Sequence, residues 1–227
     1  MKGDRVDLSL ARKPAARVSF VAAIDDVADR DPVLANLVEL VGPITQRPRD
    51  PDGHFGALVR SIVFQQLAGA AARAIHQRVR AVVDNEVTPE ALARASDAAL
   101  RGAGLSAAKL ASLRDLSAKV LDGTVVLDAS SKRTDDDIVA GLVTVRGVGR
   151  WTAEMYLMFE LRRLDVWPVD DLGVRQGYGL AWGLDTPPSA KELEPLGDRF
   201  RPYRSIVARY CWEAVALFRG GTDPSLR

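Results

Sequence analysis

Residues 142–153, LVTVRGVGRWTA, constrain the chain more than any other stretch. They read as a helix ending, a turn through Gly147 and Gly149, and a new helix starting near Trp151. A helix start leaves several backbone N–H groups without intrahelical partners. The aligned peptide dipoles add partial positive charge there. Glycine in the turn lets an anion come close to those amides, because no Cβ stands in the way. Val148, between the glycines, is expected to point back and pin the two helices together. The turn is thus a candidate phosphate clamp, although an ordinary helix–helix turn with a glycine cap carries the same short signature.

The remaining pattern is helical from end to end. Asp31-Pro32 starts a helix, with the aspartate as N-cap and proline at the first helical position. Gly42-Pro43 ends it, and residues 45–53, TQRPRDPDG, read as a loop. From Phe55 the pattern is strongly helical, through Leu58, Val59, Ile62, Val63 and Phe64. Gln65-Gln66-Leu67 interrupts that pattern before a second helix over 70–83. Thr88, Ser96, Ser106, Thr134 and Ser189 each stand where a helix N-cap is expected. Further helices are read over 138–145, 151–163, 172–182 and 203–218. Val18 to Ala23 is read as a short strand or an entry segment. No strand-rich stretch and no internal repeat is found, so the fold class is all-α.

Several function classes drop out on composition. A single cysteine, Cys211, excludes an intrachain disulfide and any multi-cysteine zinc or iron–sulfur site. It lies in an apolar helical pattern and reads as a buried thiol. The two histidines, His54 and His76, are too few and too far apart for a metal centre. No apolar run is long enough to span a membrane, and the first twenty residues lack the apolar core of a secretory signal. The net charge of +1 decides little about nucleic acid.

A second stretch, VWPVDDLG, follows the first by about a dozen residues. Its two adjacent carboxylates, Asp170 and Asp171, sit at a helix start, and one of them is expected to be a cap. The other is a candidate for a cleft. A lone carboxylate with no metal cluster or histidine partner suits the cleavage of an N-glycosidic bond. It stabilises an oxocarbenium-like sugar and orients or deprotonates a water. Two adjacent glutamines ending an apolar helix are unusual, because buried amides need partners. They belong either to a polar surface turn or to a contact that places Gln66 and Leu67 at DNA, with Leu67 as an apolar wedge in the base stack.

Taken together, LVTVRGVGRWTA…PVDDLGVRQG, SIVFQQLAGAAARAI, RGAGLSAAKLASLRDL and RPYRSIVARYCW resemble the helix–hairpin–helix DNA glycosylase superfamily. More narrowly, they are similar to the AlkA-type 3-methyladenine DNA glycosylases. The resemblance runs from about Asp31 to Phe218. It implies a two-lobed helical bundle with the active-site cleft between the lobes, and residues 31–227 as the glycosylase core after a 1–30 extension. The sheet domain that precedes the core in long-form relatives is expected to be absent or reduced. Asp171, which precedes Leu-Gly-Val-Arg, takes the catalytic position. Trp151, Trp212 and Met155 fall at base-pocket positions, although packed core is the commoner use of aromatics at helical spacing. Met155 departs from the tyrosine more usual there, which leaves the substrate range open. Gln66, Leu67, Gly147, Val148, Gly149 and Thr152 fall at the DNA. The main-chain carbonyls of Val143, Val145 and Val148 fall where the family holds a monovalent cation, sodium or potassium.

Where lyase-competent members carry a catalytic lysine, this chain has Trp151, which cannot form a Schiff base. The resemblance therefore implies a monofunctional enzyme with no required cofactor and no iron–sulfur cluster. It would flip alkylated purines such as 3-methyladenine and 7-methylguanine out of double-stranded DNA and leave an abasic site. It is expected to act as a cytoplasmic, nucleoid-associated monomer. Two other readings stay open: the same fold acting on hypoxanthine or another damaged base, and a non-catalytic damaged-DNA-binding protein in which Asp171 is only a helix cap.

Overall fold

The computed structural model describes residues 18–127 and 133–219. Residues 1–17 of the expected extension lie outside them. The described residues form α-helices and no strand. In chain order these are α1 (Phe20–Arg30), α2 (Pro32–Val41), α3 (Gly53–Phe64), α4 (Gly69–Val82), α5 (Pro89–Arg94) and α6 (Asp97–Gly102). They continue as α7 (Ala107–Leu121), α8 (Asp135–Leu142), α9 (Arg150–Met155), α10 (Leu172–Ala181), α11 (Ala190–Leu196) and α12 (Arg204–Arg219).

Side-chain caps define most of the helix starts. Thr88, Ser96 and Ser106 each accept an amide from the first turn that follows. Thr134 with Asp137, and Ser189 with Glu192, close reciprocal capping boxes. Asp31 caps α2 through Val33 N and Leu34 N at 3.0 and 3.1 Å. Its other oxygen receives Trp182 Nε1 at 3.3 Å and Arg199 at 3.2 Å, so one buried carboxylate also ties α2 to the C-terminal part of the chain.

The helices sort into two lobes. One packs α1 and α2 against α10 and α12. The other packs α3 on α4, α5 and α6 on α7, and α8 on α9. The first lobe is therefore built from both ends of the described chain, and the second from its middle. Residues 42–52 pass from one lobe to the other. Tyr210, fully buried, donates its hydroxyl to Gly42 O at 3.2 Å and receives Ile44 N at 3.4 Å. Arg209 donates to Thr45 O at 2.7 Å, so α12 holds this crossing segment in place.

Three readings are corrected. Val18 to Ala23 is neither strand nor entry segment: α1 begins at Phe20, and Ala23, Ile24 and Val27 are buried in the core. The arm before the hairpin ends at Leu142, three residues before Val145, because residues 143–148 close as tight turns. In them Thr144 N donates to Gly141 O, Val145 N to Leu142 O and Val148 N to Val145 O. The expected helix over 151–163 is α9 followed by a π-helical turn, Tyr156–Glu160, closed by Leu161 N on Tyr156 O. Such a turn advances the chain by an extra residue and is a common device at functional sites.

Candidate active site

Asp171 sits where the lobes meet. Trp167 anchors its approach: the indole is buried and donates to Leu193 O at 3.0 Å. Tight turns, Val169 N to Trp167 O and Asp171 N to Pro168 O, then deliver Asp171 to the start of α10. Oδ1 accepts Val174 N at 2.7 Å and Trp212 Nε1 at 2.9 Å. Oδ2 accepts Trp151 Nε1 at 2.5 Å. Trp151 belongs to α9 and Trp212 to α12, so each lobe supplies one indole to the same carboxylate. The sequence reading had divided cap and cleft carboxylate between two residues. The structure puts both on Asp171 and leaves Asp170 exposed.

The indole of Trp212 reaches Asp171 only because residue 173 is glycine. A Cβ there would lie 2.8 Å from Trp212 Cδ1, 3.0 Å from its Nε1 and 3.1 Å from Asp171 Oδ1. Gly173→Ala is expected to push the indole off the carboxylate while α10 keeps its backbone. Acrylamide quenching of tryptophan fluorescence should then rise with little change in melting temperature. Unchanged quenching would mean that the indole tolerates the added methyl.

The carboxylate opens on a cleft of about 690 Å³ between the lobes. Trp151, Trp212, Met155, Phe64, Tyr156 and Phe159 give it apolar and aromatic walls. Phe159 stacks on Trp212 with ring centres 5.9 Å apart and an interplanar angle of 22°. The Arg47 guanidinium, on the crossing segment, lies 4.8 Å over the Phe159 ring. Burial, with Arg60 nearby, holds the Arg47 pKa below the ordinary arginine value. Arg49 and Arg60, both exposed, stand on the cleft lining, whereas the lining residue Glu160 is buried. Glu160 pairs with His54 Nδ1 at 2.9 Å and receives Asp50 N at 3.2 Å. Burial raises the carboxyl of Glu154, one turn of helix from Arg150, above the usual glutamate range; the Arg150 pair at 2.9 Å opposes that and Asp170 and Asp171 add to it.

Sequence reasoning placed Trp151, Met155, Asp171 and Trp212 together, and all four line this cleft. It missed Phe159, for which a signal existed: Trp151, Met155 and Phe159 follow one another at four-residue spacing, which puts them on one side of a helix. It also missed Arg47, His54 and Glu160. His54 and Glu160 are 106 residues apart, and nothing local in either stretch announces the pair.

The hairpin lies beside the cleft, since Trp151 is the second residue of α9. Gly147 has φ +76°, and a Cβ on it would stand 2.6 Å from Ser112 Oγ. Val148 is buried and packs inward. Gly149 precedes α9 and offers no side-chain cap, so the first amides of α9 are left to another acceptor. Thr152, in the first turn of α9, is buried. Gln66 and Leu67 are exposed in the loop between α3 and α4, with Gln66 at φ +56°. Val143 caps the C-terminal end of α8, and Val145 O already accepts Val148 N at 3.0 Å. Among the described residues no group of three or more His, Cys, Asp or Glu side chains is placed to hold a metal ion. Cys211 is buried, and burial pushes its thiol pKa upward.

Comparison with known proteins shows the family and the fold. A sequence profile of the HhH-GPD superfamily of base excision DNA repair proteins matches residues 59–202. DNA-3-methyladenine glycosylase 1 of Schizosaccharomyces pombe is 29% identical over 214 residues, which cover 92% of this chain and 94% of the relative. The crystal structure of a DNA-3-methyladenine glycosidase from Bacillus halodurans superposes with a TM-score of 0.80 at 34% identity, covering 87% of this chain and 91% of that one. A Schizosaccharomyces pombe 3-methyladenine DNA glycosylase in complex with abasic DNA superposes with a TM-score of 0.74 at 29% identity, over 85% of this chain and 96% of that one.

Proposed function

The chain belongs to the HhH-GPD superfamily of base excision DNA repair proteins, and we propose that it is a monofunctional DNA glycosylase for alkylated purines. It extrudes 3-methyladenine or 7-methylguanine from double-stranded DNA and hydrolyses the N-glycosidic bond. The observation that carries this reading is Asp171: one carboxylate, fixed by three N–H donors from two lobes, at the edge of an aromatic cleft.

The chemistry follows from that geometry. The C1′–N bond breaks and its electron pair leaves with the base, so positive charge grows on the sugar. A fixed carboxylate beside C1′ stabilises that charge without having to reorganise. Each carboxylate oxygen accepts hydrogen bonds in more than one direction. Oδ2 has one indole donor and keeps room for a water. That water adds to C1′ and gives its proton to Asp171. An alkylated purine is cationic, which favours contact with the faces of Trp151, Trp212 and Phe159. The positive charge also makes the base a good leaving group. Trp151 has no amine, so no Schiff base forms with the sugar and the product is an intact strand carrying an abasic site.

Gly147, Val148, Gly149 and the amide of Thr152 hold a backbone phosphate, while Gln66 and Leu67 fill the space left by the extruded base. The carbonyls of Val143, Val145 and Val148 would hold a sodium or potassium ion through main-chain oxygens. Val143 is the cap at the C-terminal end of α8, where the helix dipole is negative and suits a cation. No other cofactor is needed. The protein is proposed to work as a monomer on nucleoid DNA in the cytoplasm; among the described residues no helix is long and apolar enough to cross a membrane. A damaged-DNA-binding protein is the second reading, favoured by one observation: Asp171 does cap α10.

The test is base release from methylated duplex DNA, with free 3-methyladenine resolved from 7-methylguanine and strand scission scored before and after alkali. Free base with nicks only after alkali is the expected result. Nicks before alkali would overturn the monofunctional assignment. Binding without free base would favour the second reading.

A further inference from the structure

One face of α7 touches both DNA-facing elements. Lys109, Ser112, Asp115 and Lys119 follow at spacings of three, three and four, which keeps them on one side of a helix. Over ten residues that face spans about 15 Å. At its start, Lys109 Nζ donates to Val63 O at 2.7 Å and to Gln65 O at 2.8 Å. These carbonyls lie at the end of α3, where a helix lacks internal donors. Further along, Ser112 meets Gly147 so closely that a Cβ on the glycine would clash. Asp115 Oδ2 accepts Arg146 N at 2.7 Å and pairs with Lys119, which also donates to Thr144 O. Finally, Gln65 Nε2 donates across to Gly147 O at 2.9 Å and closes the circuit between the loop and the hairpin.

Neither segment has a regular partner of its own. The loop carrying Gln66 and Leu67 leaves the helix through a left-handed residue, and residues 143–147 are turns and bends. Both borrow their position from α7. An ammonium donating to carbonyls makes charge-assisted bonds, stronger than neutral ones. Burial lowers the Lys109 pKa, and the carbonyls of Val63 and Gln65 oppose that by accepting from the ammonium in place of part of its water. We propose that this face of α7 fixes the distance between the hairpin and the Gln66–Leu67 wedge, with Lys109 as a positioning residue for base extrusion. An apolar side chain entering a base stack is pushed back by the stack. It stays inserted only if its loop is braced against the element that grips the backbone. This rests on the DNA-glycosylase reading above for the identity of the wedge and the phosphate clamp.

The experiment uses the full chain and a duplex with 2-aminopurine at the target position, whose fluorescence rises when it unstacks. Bound fraction is followed in parallel by anisotropy of a distant dye. Wild type is expected to give a fluorescence rise on binding. Lys109→Met, which keeps the apolar stem and removes the ammonium, should bind and lose most of that rise at equal occupancy. Lys109→Arg, which keeps cationic donors, should restore much of it. Gln65→Ala breaks the circuit from the exposed side and serves if Lys109→Met does not fold. A wild-type rise in both Lys109→Met and Gln65→Ala at equal occupancy would overturn the inference. So would a wild-type protein that binds without unstacking the probe. If wild type unstacks the probe yet releases no base from methylated DNA, the glycosylase reading fails and the brace is still scored.

Discussion

Asp171→Asn is expected to lower the single-turnover rate of base release by about a thousandfold, the scale set by removing one preorganised electrostatic partner of a transition state. The fold should survive. Asparagine caps helices about as well as aspartate, and its Oδ1 can still receive Val174 N and Trp212 Nε1. The second oxygen becomes an NH₂ group facing the Trp151 indole, donor against donor, where the carboxylate now accepts at 2.5 Å. Trp151 is therefore expected to swing free. The variant should melt near wild type and still bind DNA containing an abasic site. That combination, intact binding with lost base release, separates an enzyme from a binding module. Wild-type base release by the variant would show that Asp171 is a cap and nothing more.

Gly177→Ala should have the largest effect on stability. A Cβ at that position would stand 1.8 Å from Cys211 O, 2.4 Å from its carbonyl carbon and 2.7 Å from its Cα. All three are backbone atoms, so no rotamer change relieves the clash, and α10 must move away from α12. Overpacking of this kind costs about 3 kcal/mol. In a protein of this size each kcal/mol lowers the melting temperature by roughly 2–4 °C, so the expected fall is roughly 6–12 °C. Trp212 directly follows Cys211, so the same shift carries its indole away from Asp171, and base release should fall even at temperatures where the variant is folded. Gly102→Ala is the matched control. It lies in a helix with nothing within 4 Å of an added Cβ, and alanine there should be stabilising by about 0.5–1 kcal/mol. A Gly177→Ala protein that melts like wild type would mean that the two helices do not approach as closely as described.

Much of this fold was legible because its helices announce themselves locally. Asp31, Thr88, Ser96, Ser106, Thr134 and Ser189 all cap where a short polar side chain precedes an apolar period. The start of α1 was not legible. Val18-Ser19-Phe20-Val21 has the β-branched and aromatic look of a strand, and the helical signal appears only with Ile24 and Val27 further on. The convergence of Asp171, Trp151 and Trp212 came from resemblance rather than from any spacing. That one carboxylate serves as helix cap and as the centre of both indoles needs the three-dimensional approach of α9 and α12. The π-helical turn was unreadable for a similar reason: its extra residue is imposed by packing and leaves no mark in composition. The pairing of His54 with Glu160, and the seat of Arg47 on Phe159, depend on the crossing segment, whose course is set by Tyr210 and Arg209 far along the chain.

The arrangement of the lobes has a consequence for how the protein is made. The middle lobe is contiguous in sequence, so α3 to α9 can begin to pack while the ribosome is still at work. The other lobe is not: α1 and α2 emerge first and wait for α10 and α12. Asp171 leaves the ribosome after Trp151 and well before Trp212. A nascent chain released before α12 therefore carries the hairpin and the loop between α3 and α4 but has no second indole on its carboxylate. It also lacks the stacking partner of Phe159. Premature termination in this stretch should yield fragments that retain the proposed DNA-facing surfaces without a finished cleft.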